Sequence, residues 1–365
     1  MTSQNKKALL IHAWMTGNIG DILHTRPIVS YLKERKYTID ICGYYPKKHT
    51  EWEKTLVETD TFYNEKFKKY ISSKKRKELF SKYEKVIFVP GPYISNNDPR
   101  KKRAIQDIKI ISEIDGTKSI LAGHSFSNLS KNDFNILRKT DTIISRETYS
   151  WQYLKKNKCE SILGSDLAFS YLNKEYKHIK SKKLKIKKQK KLCFLRHDNF
   201  KLEDVLDEKN KRLAKKIYTL LSSKDEMSFI EVMKGLVKIN LEKINKKNTG
   251  KITNLHQGKN TKINKDACDF ATSDAYRDRE KLGILCKMNK IPYLECNTVR
   301  ELVETINNYE TIISDRYHPS IIAIYLNKDV IFLKSKNDAK MKGLFQMKQE
   351  SVEELIRLSN KSLCW

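Results

Sequence analysis

The sequence lacks the features that define several protein classes. Its seven cysteines are scattered along the chain and form no Cys-x-x-Cys pair, and several of them lie within apolar runs. Isolated cysteines in apolar surroundings are typical of buried, reduced thiols, and a structural zinc site needs clustered ligands. The pattern therefore argues against a disulfide framework and predicts no metal site.

Long apolar runs are also missing. No stretch approaches about 18 consecutive apolar residues, and the first run, residues 8–15, is too short for a membrane span or for a signal peptide with its cleavage site. We therefore expect a soluble, cytoplasmic protein, with peripheral contact to an anionic membrane surface as the alternative. At 365 residues the chain can form two domains, each with its own core.

Negative charge is in the minority, and the formal net charge is +29. Such a charge favours a polyanionic partner, which could be nucleic acid, an anionic membrane surface or an acidic glycan. Lysine makes up 59 of the 73 basic residues, whereas nucleic-acid readers favour arginine for two-pronged contacts. No nucleic-acid motif is present either. Nucleic acid is therefore the least favoured partner, and a solvated lysine surface is favoured over both a glycan and a membrane.

What the sequence does contain is an alternation of short apolar runs and helix-length segments. Strands are predicted at 8–14, 38–43, 85–90, 118–122 and 142–145, with helices at 22–35, 66–83 and 148–157. A second series follows the lysine-dense stretch 174–191, with strands at 192–195, 292–295, 311–314 and 330–333. Helices are predicted there at 207–222, 226–245, 274–289, 298–308 and 318–326, and residues 246–265 are predicted to form an exposed polar loop.

This order predicts an α/β fold with two doubly wound domains facing across a cleft. We assign residues 1–173 to the first domain, 174–191 to a linker and 192–348 to the second domain. Residues 349–365 contain a final helix, 352–359, which we expect to pack back on the first domain.

A glycine-containing turn follows the first strand and reads Gly17-Asn18-Ile19-Gly20-Asp21. Its glycines permit close backbone approach to a ligand, and the helix N-terminus behind them attracts anions. The turn lacks the lysine of a Walker loop and the third glycine of the dinucleotide fingerprint. Asp21 is a candidate base or hydroxyl-binding group, and the alternative is a tight turn in which it caps the helix.

A second polar turn follows the strand 311–314, where Asp315, Arg316 and His318 precede a helix. In parallel sheets ligands bind at the carboxyl ends of strands, near helix N-termini. Arg316 could hold an anion there, and His318 could donate a proton near neutral pH. The alternative is a histidine bonded to the backbone, with Asp315 as a helix cap.

Other polar side chains also follow predicted strands. Arg196 ends the first strand of the second domain, where it could grip a carboxylate or phosphate or form an interdomain ion pair. His124, Arg146 and Asp166 lie at strand ends of the first domain, in Gly-His-Ser, Ser-Arg-Glu and Ser-Asp-Leu-Ala-Phe segments. Each of the three could line the cleft or be structural.

The order and spacing of these segments over roughly residues 10–345 resemble the polysaccharide pyruvyl transferases, and the Ser-Asp-Arg-Tyr-His segment at 314–318 is the most specific of them. The resemblance implies a GT-B-like fold of two Rossmann-like domains. It also implies transfer of pyruvate from phosphoenolpyruvate to sugar hydroxyls, forming a ketal. Donor contacts would come from Arg196, Arg316, His318 and Lys340.

The resemblance implies His318 as the general acid, and Asp21 is the candidate base. Gly17, Asn18, Gly20, His124, Arg146 and Asp166 would line the acceptor side of the cleft. The expected partners are phosphoenolpyruvate as co-substrate and a glycan or lipid-linked saccharide, without a cofactor. Residues 20–27 are also similar to heptosyltransferase-type glycosyltransferases, which use a nucleotide sugar. A glycan-binding relative without catalysis is the third hypothesis.

Overall fold

The computed structural model describes residues 6–14, 19–44, 55–56, 58–64, 72–95, 98–180, 187–194, 251–253, 262–264, 268–272, 293–332, 343–345 and 347–365. Within these residues the chain forms two parallel sheets with helices packed on them, so the predicted α/β class is confirmed. The helices predicted at 207–222, 226–245 and 274–289 lie outside the described residues, as do Gly17, Asn18, Arg196 and Lys340.

The first sheet has seven parallel strands in the order β3-β2-β1-β4-β6-β8-β9. With the short parallel pair β5 and β7, the strands of this half are β1 Lys7–Trp14, β2 Thr38–Tyr44, β3 Thr61–Asn64, β4 Lys85–Phe88, β5 Ile94–Ser95, β6 Lys118–His124, β7 Phe126–Ser127, β8 Thr142–Ser145 and β9 Ile162–Leu163. Its helices are α1 Ile19–Glu34, α2 Ser73–Phe80, α3 Lys101–Ile111, α4 Lys131–Leu137, α5 Thr148–Lys156 and α6 Leu167–Lys180.

The apolar run of β1 explains why the first sheet has a core on each face. Successive side chains of a strand point to opposite faces, and Leu9 and Ile11 therefore join one buried cluster while Ala8 and Leu10 join the other. Strands covered on both faces contain continuous apolar runs instead of an alternating pattern. The cluster that contains Leu10 continues into the second half of the chain, where it includes Ile312.

The second sheet has five parallel strands in the order β14-β13-β10-β15-β16. The strands of this half are β10 Lys187–Phe194, β11 Lys251–Thr253, β12 Lys262–Asn264, β13 Cys268–Thr272, β14 Tyr293–Glu295, β15 Tyr309–Ser314 and β16 Asp329–Phe332. The helices described after β10 are α7 Val299–Asn307, α8 Tyr317–Tyr325 and α9 Val352–Lys361. Every residue of α8 is buried.

Helix α9 packs back on the first half of the chain, as predicted. The Ser359 hydroxyl donates to the carbonyl of Asp166 at 2.8 Å, and the Ser362 hydroxyl donates to the carbonyl of Ser165 at 3.2 Å. A Cβ atom on Gly164 would lie 2.0 Å from the Ser362 Oγ, so only glycine allows this close approach. The C-terminal helix therefore supports the segment that carries Asp166.

Two sequence-based expectations need correction. The predicted linker 174–191 includes the end of α6 and the beginning of β10. Lys174 and Lys177 lie on the exposed face of α6, an amphipathic helix in which Ile179 is buried. The predicted loop 246–265 contains the antiparallel pair β11 and β12, since Lys251 and Asn264 are paired residues. Polar composition alone does not distinguish a polar ribbon from a loop.

Each sheet has one point at which the strand order reverses. These topological switch points lie between β1 and β4 in the first sheet and between β10 and β15 in the second. Ligands of doubly wound folds bind outside the carboxyl ends of the strands at such points. Strand β1 leads toward α1 and β15 leads into α8, so both helices begin at a switch point. No helix of the described residues is long and apolar enough to cross a membrane.

Candidate active site

Helices α1 and α8 bring two histidines together between the two sheets. His24 lies in the second turn of α1 and His318 in the first turn of α8, and both are buried. Their Nε2 atoms are 3.2 Å apart, and the rings meet edge to face with centroids separated by 4.7 Å. The contact joins the first half of the chain to the second at the predicted cleft.

Gly20 allows His318 to reach this position. A Cβ atom on Gly20 would lie 1.8 Å from the His318 Nδ1, which is closer than any real Cβ contact. The glycine of the predicted turn is therefore required for the packing of a side chain from the second half of the chain.

Gly20→Ala is expected to lower activity about 10²-fold, because it must displace the His318 ring by an ångström or more. Alanine favours a helix over glycine by up to about 1 kcal/mol, so a weaker helix would not explain the loss. The measurement is kcat, with circular dichroism to confirm folding. Gly116→Ala is the control: Gly116 has φ of 79° and a Cβ atom there would meet no other atom within 4 Å, so that variant should lose stability and keep its activity. Full activity of Gly20→Ala would contradict the packing described here.

Asp166 lies directly before α6 and contacts the same His24 nitrogen as His318 does. Both of its carboxylate oxygens lie 3.0 Å from the His24 Nε2, and the Oδ1 also accepts the backbone N–H of Ala168 at 3.0 Å. Burial would raise the pKa of Asp166. The charge and hydrogen bond of His24, with the charges of Arg146 and His318, nevertheless hold that pKa well below its ordinary value. Asp166 is therefore an ionised carboxylate inside the protein.

Arg146 follows β8 and completes the polar cluster with its buried guanidinium. Its Nη1 lies 3.4 Å from an Asp166 oxygen, its Nε donates to the Ser125 Oγ at 2.7 Å, and its Cζ lies 4.3 Å from the centre of the Tyr317 ring. The next residue, Glu147, lies 3.4 Å from the Arg146 Nε and accepts from Ser125 and Ser150. Burial raises the pKa of the Glu147 carboxyl. Arg146 therefore lies between the carboxyl groups of Asp166 and Glu147 and the face of the Tyr317 ring.

His124 belongs to a neighbouring buried network. Its Nε2 forms a 2.9 Å hydrogen bond with the Tyr93 hydroxyl, and burial followed by the charge of Arg146 lowers its pKa well below the ordinary value. The ring is therefore neutral. Next to it, the His12 Nε2 lies 3.0 Å from Asp107, which also accepts from Arg76 at 2.6 Å. The sequence analysis did not single out His12, Asp107 or Arg76.

The predicted residues that fall within the described ranges can now be placed. Asp21, Arg146, Asp166 and His318 meet around His24, whereas His124 lies in the adjacent network. Arg316 precedes α8, where its N–H donates to the Ser314 hydroxyl and its carbonyl accepts from the Ser320 hydroxyl. His24 was missed, although its position three residues after Asp21 puts both on one face of a helix.

Asp21, His24 and His318 also have the spacing of a possible metal site. One ligand atom from each lies within 4.8 Å of the other two. Two histidines and a carboxylate are a donor set that divalent transition metals accept. The His24 Nε2, however, already faces the ionised Asp166 as a hydrogen-bond donor, so a metal would have to displace that proton.

Two parallel sheets whose switch points face each other, with charged side chains converging between them, define the GT-B fold. The sequence matches the family model for polysaccharide pyruvyl transferase over residues 18–337, and the chain belongs to that family. A search of curated proteins gives no match.

Solved structures support the same fold. The UDP-GlcNAc 2-epimerase of Neisseria meningitidis bound to UDP-GlcNAc has a TM-score of 0.50 and 10% sequence identity, covering 98% of this chain and 99% of that one. The UDP-N-acetylglucosamine 2-epimerase of Rickettsia bellii has a TM-score of 0.50 and 13% identity, covering 98% and 93%. At these identities the likeness concerns the fold alone.

Proposed function

We propose that this polysaccharide pyruvyl transferase moves the pyruvyl group of phosphoenolpyruvate onto two hydroxyls of a glycan, forming a cyclic ketal. The observation that carries the proposal is the meeting of His318 with Asp21 at the facing switch points, with ligand atoms within 4.8 Å. The reaction needs a proton donor to carbon and a proton acceptor from a hydroxyl, and these two side chains can supply both functions.

The first step would be protonation of the methylene carbon by His318. The neighbouring carbon then gains oxocarbenium character and is attacked by a sugar hydroxyl, whose proton passes to Asp21. A second hydroxyl of the same sugar displaces phosphate, which closes the ketal ring and releases inorganic phosphate. Each step uses side-chain acids and bases, so the proposal assigns no role to a cofactor or a metal.

The donor carries a carboxylate and a phosphate, and it needs cationic partners. We assign these to Arg196, Arg316 and Lys340, since guanidinium groups bind both anions in two-pronged fashion and stabilise charge as it moves. Arg146 is the candidate for the acceptor side, because its Nη2 is buried and hydrogen-bonds to no described residue. Gly17, Asn18, His124 and Asp166 stay acceptor-side or cleft candidates.

A nucleotide-sugar transferase is the second candidate. It is favoured by the helix start at 20–27, which resembles heptosyltransferases and places Asp21 at the same cleft. A glycan-binding protein without turnover is the third hypothesis, and the net charge of +29 would favour an acidic glycan or an anionic membrane surface as its partner. Donor choice separates the three.

We expect phosphate release from phosphoenolpyruvate only when an acceptor is present. The assay uses hexose glycosides with neighbouring free hydroxyls and lipid-linked saccharides, and mass spectrometry detects the ketal product. Nucleotide sugars are tested in parallel. Nucleotide release would favour the second candidate, and binding of an acceptor without release from either donor would favour the third.

A further inference from the structure

Nitrogen and oxygen donors of four side chains converge where α1 meets α8. We propose that Asp21, His24 and His318 bind one divalent transition-metal ion, with Asp166 beside them, and that the bound ion stops pyruvyl transfer. The binding follows from the geometry alone, whereas the inhibition rests on the proposed function, in which His318 is the general acid.

The hydrogen bonds at the His24 Nε2 leave one contact unsatisfied. Both Asp166 oxygens lie 3.0 Å from this atom, and the His318 Nε2 lies 3.2 Å from it. The His24 Nε2 carries at most one hydrogen, which Asp166 and a lone pair of His318 then have to share. If the His318 Nε2 donates instead, the lone pair of His24 faces an ionised carboxylate. A cation between these atoms is attracted by all of them.

The distances match those between ligands of a single ion. Bonds from zinc to imidazole nitrogen or carboxylate oxygen are about 2.0–2.2 Å long, so two neighbouring ligands lie about 3.0 Å apart at a right angle and about 3.4 Å apart in a tetrahedron. The two Nε2 atoms are 3.2 Å apart, and Asp21 offers a ligand atom within 4.8 Å of one from each histidine. Asp21 is partly exposed, so its carboxylate can rotate toward the ion.

The donor types select the class of metal. Imidazole together with carboxylate suits Zn²⁺ and its neighbours in the first transition row, whereas Mg²⁺ and Ca²⁺ prefer oxygen ligands. The ion joins His24 of the first half of the chain to His318 of the second, 294 positions later, which is why no local motif predicted it. When the His318 Nε2 is bound to metal, it has no proton to give to the enol carbon. The ion therefore inhibits the proposed reaction.

The binding test uses the untagged chain with Cys364→Ser, because Cys364 is an exposed thiol that could take up Zn²⁺ by itself. Isothermal titration calorimetry should show a single Zn²⁺ site and no binding of Mg²⁺. His24→Gln and His318→Gln should each weaken Zn²⁺ binding at least about 10²-fold, since loss of a mere outer partner of a ligand costs about 10–100-fold. The control is His178→Gln, which changes an exposed histidine of α6 and should bind as its parent does.

Co²⁺ gives a readout that needs no variant of the site. Its visible absorption bands should be those of nitrogen and oxygen ligands, without the intense near-ultraviolet band of a thiolate ligand. In the activity assay, saturating Zn²⁺ should lower kcat for pyruvyl transfer at least about 10²-fold, as expected for the loss of a general acid, and a chelator should restore it.

The outcomes separate the metal site from the reaction. Absence of Zn²⁺ binding, a thiolate band, or unchanged binding in both His24→Gln and His318→Gln would overturn the site. If those variants fail to fold by circular dichroism, the Co²⁺ spectrum decides. Zn²⁺ binding with unchanged or faster pyruvyl transfer would overturn the inhibition. A metal-free protein that releases no phosphate from phosphoenolpyruvate would remove the proposed function and leave the binding result standing.

Discussion

Replacing His318 with glutamine is expected to lower kcat for pyruvyl transfer by about 10²–10⁴-fold, the usual contribution of a general acid. Glutamine can occupy the space between Gly20 and His24 and can still form a hydrogen bond. It has no proton to give to carbon at neutral pH. The measurement is phosphate release under saturating phosphoenolpyruvate and acceptor, with folding checked by thermal denaturation.

The same variant should keep its affinity for phosphoenolpyruvate. In the proposal the carboxylate and phosphate are held by Arg196, Arg316 and Lys340, so KM for the donor should change little while kcat falls. The exposed His178 again provides the control, since His178→Gln removes a histidine far less buried than His318. A His318→Gln variant with wild-type kcat would exclude His318 as the acid and leave the family assignment untouched.

Much of the fold could be predicted because the spacing of apolar residues within short segments indicates which of them are strands and which are helices. The segment 312–333 was predicted as strand, helix and strand, and the structure has β15, α8 and β16 there. Parallel strands buried on both faces read as short apolar runs, and the helix between them is long enough to be recognised. The polar turn between β15 and α8 marks the carboxyl end of a strand, so the location of the site follows from the same pattern.

The partners within the site could not be predicted, because they depend on how two halves of the chain meet. Asp166 and Arg146 were recognised as polar groups after strands, but nothing local shows that they share one buried cluster with His24. Composition also misled the interpretation of 174–191, where exposed lysines conceal the last turns of α6. In both cases the deciding contacts join residues far apart in sequence, such as His24 and His318.

Asp166→Asn is expected to destabilise the fold by about 3 kcal/mol and to lower activity as well. Removing one partner of a buried ion pair leaves the other charge without compensation, and among the described residues Arg146 would then keep Glu147 as its one ion-pair partner. Asparagine has nearly the same shape, so the effect reports charge and not a cavity. The free energy of unfolding in urea at pH 7 measures it. Asp115→Asn, at an exposed turn, is the matched control and should change stability by less than about 0.5 kcal/mol.

The difference in stability between the wild type and Asp166→Asn should depend on pH. The pKa of Asp166 is lower in the folded protein than in the unfolded chain, where it is about 3.9. Its contribution to stability is therefore present above the unfolded pKa and is lost as the pH falls through the folded one. Wild type should lose its advantage over Asp166→Asn progressively below about pH 4. A constant difference between the two proteins down to pH 2 would contradict an ionised Asp166.

Activity measurements on single and double variants can distinguish the effect of Asp166 on the charge of Arg146 from its effect on His24. An amide at position 166 can donate to the His24 Nε2, which favours the tautomer with the lone pair on that nitrogen and so changes the contact with His318. If Asp166 and His24 act as one unit, the double variant Asp166→Asn, His24→Gln should be no slower than the slower single variant. Losses that multiply would show that the two residues act independently. Asp166 would then stabilise the site through Arg146 alone, and His24 would act without the fixed carboxylate behind it.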